Sequence, residues 1–233
     1  MSRRLVNLTL DTLEDLPHPC RQCVFWELDP VSAQRACASG DPSLEKEAWV
    51  SQTLLEWGSC GKLIYVDSAP AGFAMYAPPA YAARSTAFPT SPVSPDAALL
   101  MTAHVVTGFS GGGLGRVLIQ GIARDLTKRG VKAIEAFGDA KADQTPIGRQ
   151  DPAAALGASG ACLAPADFFL SVGFKTVRQH PQYPRLRLDL RTALSWKSDV
   201  EYALEKLLGS MSPESLLRPV RPATRNTTGV NAI

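Results

Sequence analysis

Four glycines lie within five residues, at positions 111, 112, 113 and 115 of the stretch VVTGFSGGGLGRVLIQGIARDLTKRG, which spans residues 105 to 130. A strand-like apolar run precedes them, and a helical pattern of apolar residues follows. The first turn of a helix leaves backbone amides without partners, and with the helix dipole these amides bind anions. Glycines let a phosphate approach the backbone without meeting Cβ atoms. The stretch therefore predicts a phosphate site, and a pyrophosphate suits it best.

Two well-known phosphate loops fit this stretch poorly. A Walker loop needs Gly-Lys-Ser/Thr, but Arg116 and Val117 follow Gly115, so the lysine and the magnesium-binding hydroxyl are missing. A Rossmann loop needs Gly-x-Gly-x-x-Gly in an early βαβ unit, whereas these glycines have another spacing and come late in the chain. A nucleotide-dependent enzyme that uses the loop for a different diphosphate remains an alternative.

Glu135 and His104 are the candidates for proton transfer. Glu135 shares a predicted strand face with Val131, Ala133 and Phe137, and a carboxylate among apolar neighbours has a raised pKa, which suits a base near neutral pH. His104 lies on the strand that leads to the glycines, and the ordinary histidine pKa of about 6.5 suits proton transfer. The alternatives are a strand-end glutamate that reaches solvent and a hydrogen-bonded core histidine.

Cys20 and Cys23 have the Cys-x-x-Cys spacing of half a zinc site. A second such pair is missing, so further ligands would have to come from residues that the fold brings close: His18, Cys37 or Cys60. A redox pair is a second interpretation. Small buried residues on the first helix are the third, and we prefer it. We therefore expect no metal. Cys162 precedes a later helix and could face a bound cofactor, but we expect it to pack in the core.

The elements that must position these residues follow from the periodicity of the chain. Strands are predicted at residues 4–10, 97–106 and 131–138, with a hairpin in 62–77 and one or two strands after 174. Helices are predicted at 13–28 (broken near its start), 41–57, 114–129, 164–174 and 196–210. Three stretches are predicted to lack regular structure: a loop at 78–96, an insertion at 139–164 and a disordered tail at 211–233. We expect one mixed α/β domain over residues 1–210.

The glycine stretch resembles the acyl-CoA signature of the GNAT superfamily of N-acetyltransferases, Gln/Arg-x-x-Gly-x-Gly/Ala. Residues 110–115, SGGGLG, fit it except that Ser110 replaces Gln or Arg. The helix sequence GLGRVLIQGIARDLTKRG and the run DFFLSVGF at 167–174 are similar to the helices of that family. The order of elements agrees over about residues 4–190. The resemblance implies a mixed, mostly antiparallel twisted sheet with splayed central strands and flanking helices.

The resemblance also implies an activity: transfer of an acetyl group from acetyl-CoA to a primary amine, by direct attack on the thioester. The pantetheine arm is expected between the splayed strands, and the pyrophosphate on amides from Ser110 to Arg116. The residues implied to bind coenzyme A are Val105, Val106, Thr107, Ser110, Gly111, Gly112, Gly113, Leu114, Gly115, Arg116 and Phe169. Many relatives have a tyrosine at the position of Phe169 that gives a proton to the leaving thiolate. Its absence favours a rival interpretation, a non-catalytic acyl-CoA-binding sensor or protein-interaction module.

Composition argues against several other classes of protein. The net charge of +2 over 233 residues gives no strong field for nucleic acid or an anionic membrane. No apolar run reaches the roughly 18 residues of a membrane span, and we expect no signal peptide. Five cysteines do not make a disulfide framework. We expect a cytoplasmic enzyme, monomeric or homodimeric, whose partner is an amine on a small molecule, peptide or protein.

Overall fold

The computed structural model describes residues 2–141 and 162–191. Most of the insertion predicted at 139–164 lies outside the described residues, as do the helix predicted at 196–210 and the tail predicted at 211–233. Within the described ranges, no helix has the length and the apolar composition needed to cross a lipid bilayer.

Seven strands form one sheet in the order β1-β2-β3-β4-β5-β7-β6. Neighbouring strands are antiparallel except β4 and β5, which run parallel. The strands are β1 (Arg3–Asn7), β2 (Gly61–Val66), β3 (Ala69–Ala77), β4 (Ala97–Val105), β5 (Ala133–Phe137), β6 (Lys175–Arg178) and β7 (Arg185–Asp189). The mixed, mostly antiparallel sheet expected from the sequence is confirmed.

Helices flank this sheet: α1 (His18–Arg21), α2 (Pro30–Ser39), α3 (Pro42–Glu56), α4 (Leu114–Lys128) and α5 (Ala166–Ser171). α3 begins where the sequence predicts, because the Asp41 carboxylate accepts a hydrogen bond from the Leu44 amide at 3.1 Å. α2 was not predicted. Its signals were Asp29 as a cap and a proline in the first turn. The predicted helix 13–28 is wrong beyond its start, since it breaks into a short turn and the four residues of α1.

The core lies on both faces of the sheet. On one face, Leu118, Ile122 and Leu126 of α4 are fully buried against β2, β3 and β4. On the other face, Trp26 and Trp49 pack with residues of the central strands. The apolar stripe at helical spacing in residues 114–126 therefore anchors α4 to the sheet and fixes where its N-terminus points.

The two central strands separate after a short contact. β4 and β5 pair at Ala97–Ala133, Ala98–Ile134 and Leu99–Glu135, although both strands continue beyond these pairs. The remainder of β4 stays paired with β3 and has no strand on its other side in the described sheet. Residues 162–165 run beside the end of β5, where the Asp139 amide donates to the Ala164 carbonyl at 3.0 Å. We call the gap between residues 100–105 of β4 and the segment 162–165 the wedge.

Candidate functional site

The glycine loop joins the end of β4 to the start of α4 and is exposed. Gly111 and Gly113 have left-handed backbone angles, φ 82° and 73°, and Gly113 is the N-cap of α4. These angles require glycine, because a side chain at such φ values is strained. A Cβ atom at either position would meet nothing within 4 Å. The loop therefore leaves open space directly in front of the helix N-terminus.

The backbone amides of this loop are available to a ligand. From Gly111 to Arg116, no amide donates a hydrogen bond to any residue that the structure describes. The Ser110 amide is different, since it donates to the Thr107 carbonyl at 3.2 Å. Free amides and the positive end of a helix dipole together attract an anion. The arrangement suits a phosphate or diphosphate.

The last glycine of the motif serves packing between helices. A Cβ atom at Gly115 would lie 2.7 Å from Cε2 of Phe168 on α5, closer than real Cβ contacts come. Leu114 and Phe169 are buried as well, at 3% and 2% exposure, and the Phe169 ring packs against Phe174 at 5.2 Å. These residues therefore hold α5 against the start of α4, behind the open face of the loop.

Arg116 is exposed on the first turn of α4. Its guanidinium donates to the Ser171 carbonyl at 2.8 Å, at the end of α5. One of its donors is therefore occupied, and the remaining N–H groups are free to meet an anion at the loop.

A cavity of about 160 Å³ lies in the wedge. β4 contributes Thr102, Ala103 and His104 to its wall, and residues 162–165 form the facing wall. The remaining lining comes from α1, the segment that follows it, α3 and β3, namely Cys20, Cys23, Trp26, Glu27, Lys46 and Phe73. No local pattern in the sequence indicates that Cys20, Glu27 and Lys46 lie at one cavity with His104, because they belong to separate parts of the chain.

His104 is half-buried at the wall of this cavity. It is paired with Phe73 on β3, and their rings are 5.9 Å apart. Burial lowers the pKa of His104 below its ordinary value. No side chain or backbone group of the described residues hydrogen-bonds its ring nitrogens. The ring is therefore neutral near pH 7 and able to accept a proton.

Glu135 does not have the raised pKa that the sequence predicts. Burial does raise the pKa of this fully buried carboxyl, but hydrogen bonds from Ser94 and Arg187 and the charge of Arg185 outweigh burial and hold the pKa below its ordinary value. Arg185 and Arg187 reach it at 3.0 and 3.1 Å, and the Ser94 amide at 3.1 Å. Both oxygens are thus occupied in a structural ion cluster, because β7 places two arginines beside β5.

A different carboxylate faces the wedge. Glu27 is 5% exposed and forms an ion pair with the buried Lys46 ammonium through Oε1. Its other oxygen, Oε2, has no hydrogen-bond partner in the described part of the chain. Burial lowers the pKa of Lys46, but the charge of Glu27, its hydrogen bond and the nearby Cys23 and Cys162 together outweigh burial and hold the pKa above its ordinary value, so the ammonium stays charged. An unpartnered carboxylate oxygen at a cavity wall is ready to accept a hydrogen bond from a ligand.

Three cysteines line the cavity: Cys20, Cys23 and Cys162. The sulfur atoms of Cys23 and Cys162 are 2.9 Å apart. Nowhere in residues 2–141 and 162–191 do three His, Cys, Asp or Glu side chains converge as metal ligands. Cys162 packs against the core, as expected, and it also lines the cavity in the wedge.

Comparisons with known proteins point to one fold. No protein-family model and no curated protein matches the chain. Among solved structures, yncA of Salmonella typhimurium, a proposed acetyltransferase seen with its cofactor acetyl-CoA, is 12% identical over 82% of this chain and 95% of its own, with a TM-score of 0.51. The PaiA N-acetyltransferase of Thermoplasma acidophilum in complex with coenzyme A is 12% identical over 81% and 99% of the two chains, with a TM-score of 0.49.

At this level of identity the likeness to yncA concerns the fold. The features that define the fold of this chain are the splayed β4 and β5, the glycine loop at the start of α4 and the antiparallel strands on either side. The chain therefore has the fold of the GNAT superfamily of acetyltransferases.

Proposed function

We propose that this protein is an acetyltransferase that moves an acetyl group from acetyl-CoA to a primary amine, which attacks the thioester directly. The observation that carries the proposal is the row of free amides from Gly111 to Arg116, at the mouth of a wedge that contains a cavity. A diphosphate on the amides and an acyl thioester in the wedge would occupy both features with one ligand. The shared fold supports this assignment.

Backbone groups, more than side chains, bind coenzyme A in this proposal. The amides from Gly111 to Arg116 hold the diphosphate, with the free N–H groups of Arg116 as a further contact. Val105 ends β4, and Val106 and Thr107 lead from it to the loop, with the Val106 amide already donating to the Ala71 carbonyl at 2.9 Å. On its side away from β3, the end of β4 has no strand partner in the described sheet. An unpaired strand edge offers hydrogen bonds to the amide groups of a pantetheine arm. Phe169 supports the site from the core, where its ring packs against Phe168 and Phe174.

Two residues at the cavity, His104 and Glu27, act on the attacking amine. Neutral His104 takes the proton from the attacking amine, a contribution of roughly 10²- to 10⁴-fold. Glu27 Oε2 accepts a hydrogen bond from the amine and orients it toward the thioester. Glu135 has no part in the reaction, because its oxygens are held by arginines. The proton for the leaving thiolate comes from solvent, since Phe169 has no donor.

One observation favours the rival function, a non-catalytic acyl-CoA sensor. Phe169 is buried and carries no hydroxyl, so the tyrosine acid expected by resemblance is missing. A sensor needs the loop and the wedge, but it does not need His104 or Glu27 at the cavity. The placement of these two side chains at the same cavity is the reason for preferring catalysis.

Titration calorimetry with coenzyme A and acetyl-CoA tests the binding, and a thiol-release assay with a panel of small amines and peptides tests the activity. We expect binding of both molecules and release of thiol with at least one amine. Binding without turnover on any acceptor would support the sensor. Tight binding of NAD or ATP without binding of coenzyme A would instead support the nucleotide-dependent alternative.

A further inference from the structure

Two thiols from distant parts of the chain meet at the wall of the cavity in the wedge. Cys23 follows α1, Cys162 lies at the start of the segment 162–165, and their sulfur atoms are 2.9 Å apart. Each backbone is held in place by a buried side chain. The Lys46 ammonium donates to the Cys23 carbonyl at 2.9 Å, and the Trp26 indole donates to the Cys162 carbonyl at 3.5 Å. The core therefore holds the two thiols face to face.

The two thiols are chemically unequal. A hydrogen bond from the Cys162 thiol, helped by the charge of Lys46, lowers the pKa of Cys23 to about 7. The same hydrogen bond and burial raise the pKa of Cys162. The other titratable groups at this cavity wall are Cys20, Glu27 and His104. Burial raises the pKa of Cys20 to about 11, so Cys20 is a poor nucleophile near neutral pH.

We infer that Cys23 and Cys162 form a reactive dithiol site, which low-molecular-weight disulfides oxidise to a reversible Cys23–Cys162 disulfide that holds the wedge closed. The inference that the pair is oxidised stands on the sulfur geometry alone. The effect on the wedge rests on the proposed binding of acetyl-CoA there.

The chemistry is thiol–disulfide exchange in two steps. The Cys23 thiolate attacks one sulfur of the small disulfide, so a mixed disulfide forms on Cys23 and a small thiolate leaves and takes a proton. Cys162 then loses its proton and attacks the Cys23 sulfur, so the protein disulfide forms and the second small thiol leaves. Two electrons pass from the two cysteines to the small disulfide, which is reduced to two thiols. An excess of thiol reverses both steps.

The consequence for the wedge follows from the size of its cavity. About 160 Å³ is less than the roughly 300 Å³ at which ligand pockets begin, so the walls must move apart to admit an acyl-pantetheine end. Cys162 belongs to the wall formed by residues 162–165, and Cys23 lies in the segment after α1, which Lys46 of α3 holds in place. A covalent bond between them prevents the movement, whereas two thiols allow it. Oxidation should therefore weaken the binding of acetyl-CoA by about tenfold, a coupling of ordinary size.

Oxidised glutathione is the probe, and the readout is the mass of the intact protein and of its peptides after free thiols are alkylated. In wild type we expect the loss of two hydrogens and a peptide cross-link between Cys23 and Cys162. Cys162→Ser should keep a stable glutathione adduct on Cys23, because the second thiol is missing. Cys23→Ser should gain little adduct at the cavity. Cys37→Ser is the matched control, since Cys37 lies on α2 and does not line the cavity, and it should behave as wild type.

Two results would overturn the inference. If wild type keeps both thiols free, or cross-links another pair of cysteines, the dithiol site is wrong. If the cross-linked protein binds acetyl-CoA as tightly as the reduced protein in calorimetry, the closing of the wedge is wrong. Failure of the reduced protein to bind acetyl-CoA would refute the proposed function and the wedge effect, while the mass measurement still decides whether the disulfide forms.

Discussion

Replacement of Gly112 by aspartate places a negative charge where the diphosphate is proposed to bind. A Cβ atom at this position has room, since its nearest neighbours are the Phe109 carbonyl oxygen at 3.6 Å and the Arg3 guanidinium at 3.9 Å. Two like charges 4 Å apart repel by about 1 kcal/mol in water and about 4 kcal/mol at a protein surface. The loop is exposed and Arg3 offsets part of the new charge, so the lower half of this range applies. We expect a loss of about 1–2 kcal/mol, a roughly 5- to 30-fold weaker affinity for coenzyme A.

Titration calorimetry at low and high salt measures this effect, with Gly112→Ala as the matched control. The alanine variant adds a Cβ without charge and should bind coenzyme A nearly as wild type does. Salt should reduce the difference between the two variants, because it screens exposed charges. Equal affinities of the aspartate and alanine variants at low salt would refute the argument that this loop holds the diphosphate.

Three further changes test other parts of the molecule. Glu135→Gln should destabilise the fold by about 3 kcal/mol in denaturant unfolding, because it leaves two arginines without their buried partner, and coenzyme A affinity should stay unchanged. The pKa of Glu135 lies below its ordinary 4.5. The stabilisation that the ionised Glu135 carboxylate gives the wild-type fold is therefore fully present above pH 4.5 and is lost as the pH falls through the pKa of the folded state. His104→Ala should lower turnover by at least about a hundredfold in the thiol-release assay without weakening coenzyme A binding, and unchanged turnover would remove His104 as the base. Gly72→Ala should cost about 1–3 kcal/mol, because its Cβ would lie 2.7 Å from the His104 carbonyl oxygen, whereas Gly108→Ala meets nothing within 4 Å and should be nearly neutral.

The sequence predicted the elements that carry strong local signals. The helix after the glycines was visible from its apolar stripe, and α3 from its cap at Asp41. β4 and the β2–β3 hairpin were visible from apolar runs bounded by turn residues. Where local signals are weak, the prediction was wrong. The run from 13 to 28 contains two prolines and its aromatic residues are held by tertiary packing, so it forms only the short α1 in place of a long helix.

The candidate site also has a part that local sequence signals predict and a part that they do not. The glycine loop could be predicted, because a strand, four glycines and a helix start are contiguous in the chain and their geometry is local. The chemistry beside it could not. Glu135 was expected to have a raised pKa because its neighbours in the sequence are apolar, but β7 brings Arg185 and Arg187 to it from 50 residues away. Charges that arrive through strand pairing leave no local trace.

By itself, then, the sequence determined the glycine loop and most of the order of strands and helices around it, since backbone conformation and amphipathic periodicity are properties of neighbouring residues. The tertiary structure decided which side chains surround the wedge. Lys46, His104 and Cys162 reach one cavity with Cys23 and Glu27 because the sheet and its helices fold them together from separate elements. Burial and charge at that cavity then determine which groups can exchange protons or electrons, and both depend on the three-dimensional neighbours of each residue.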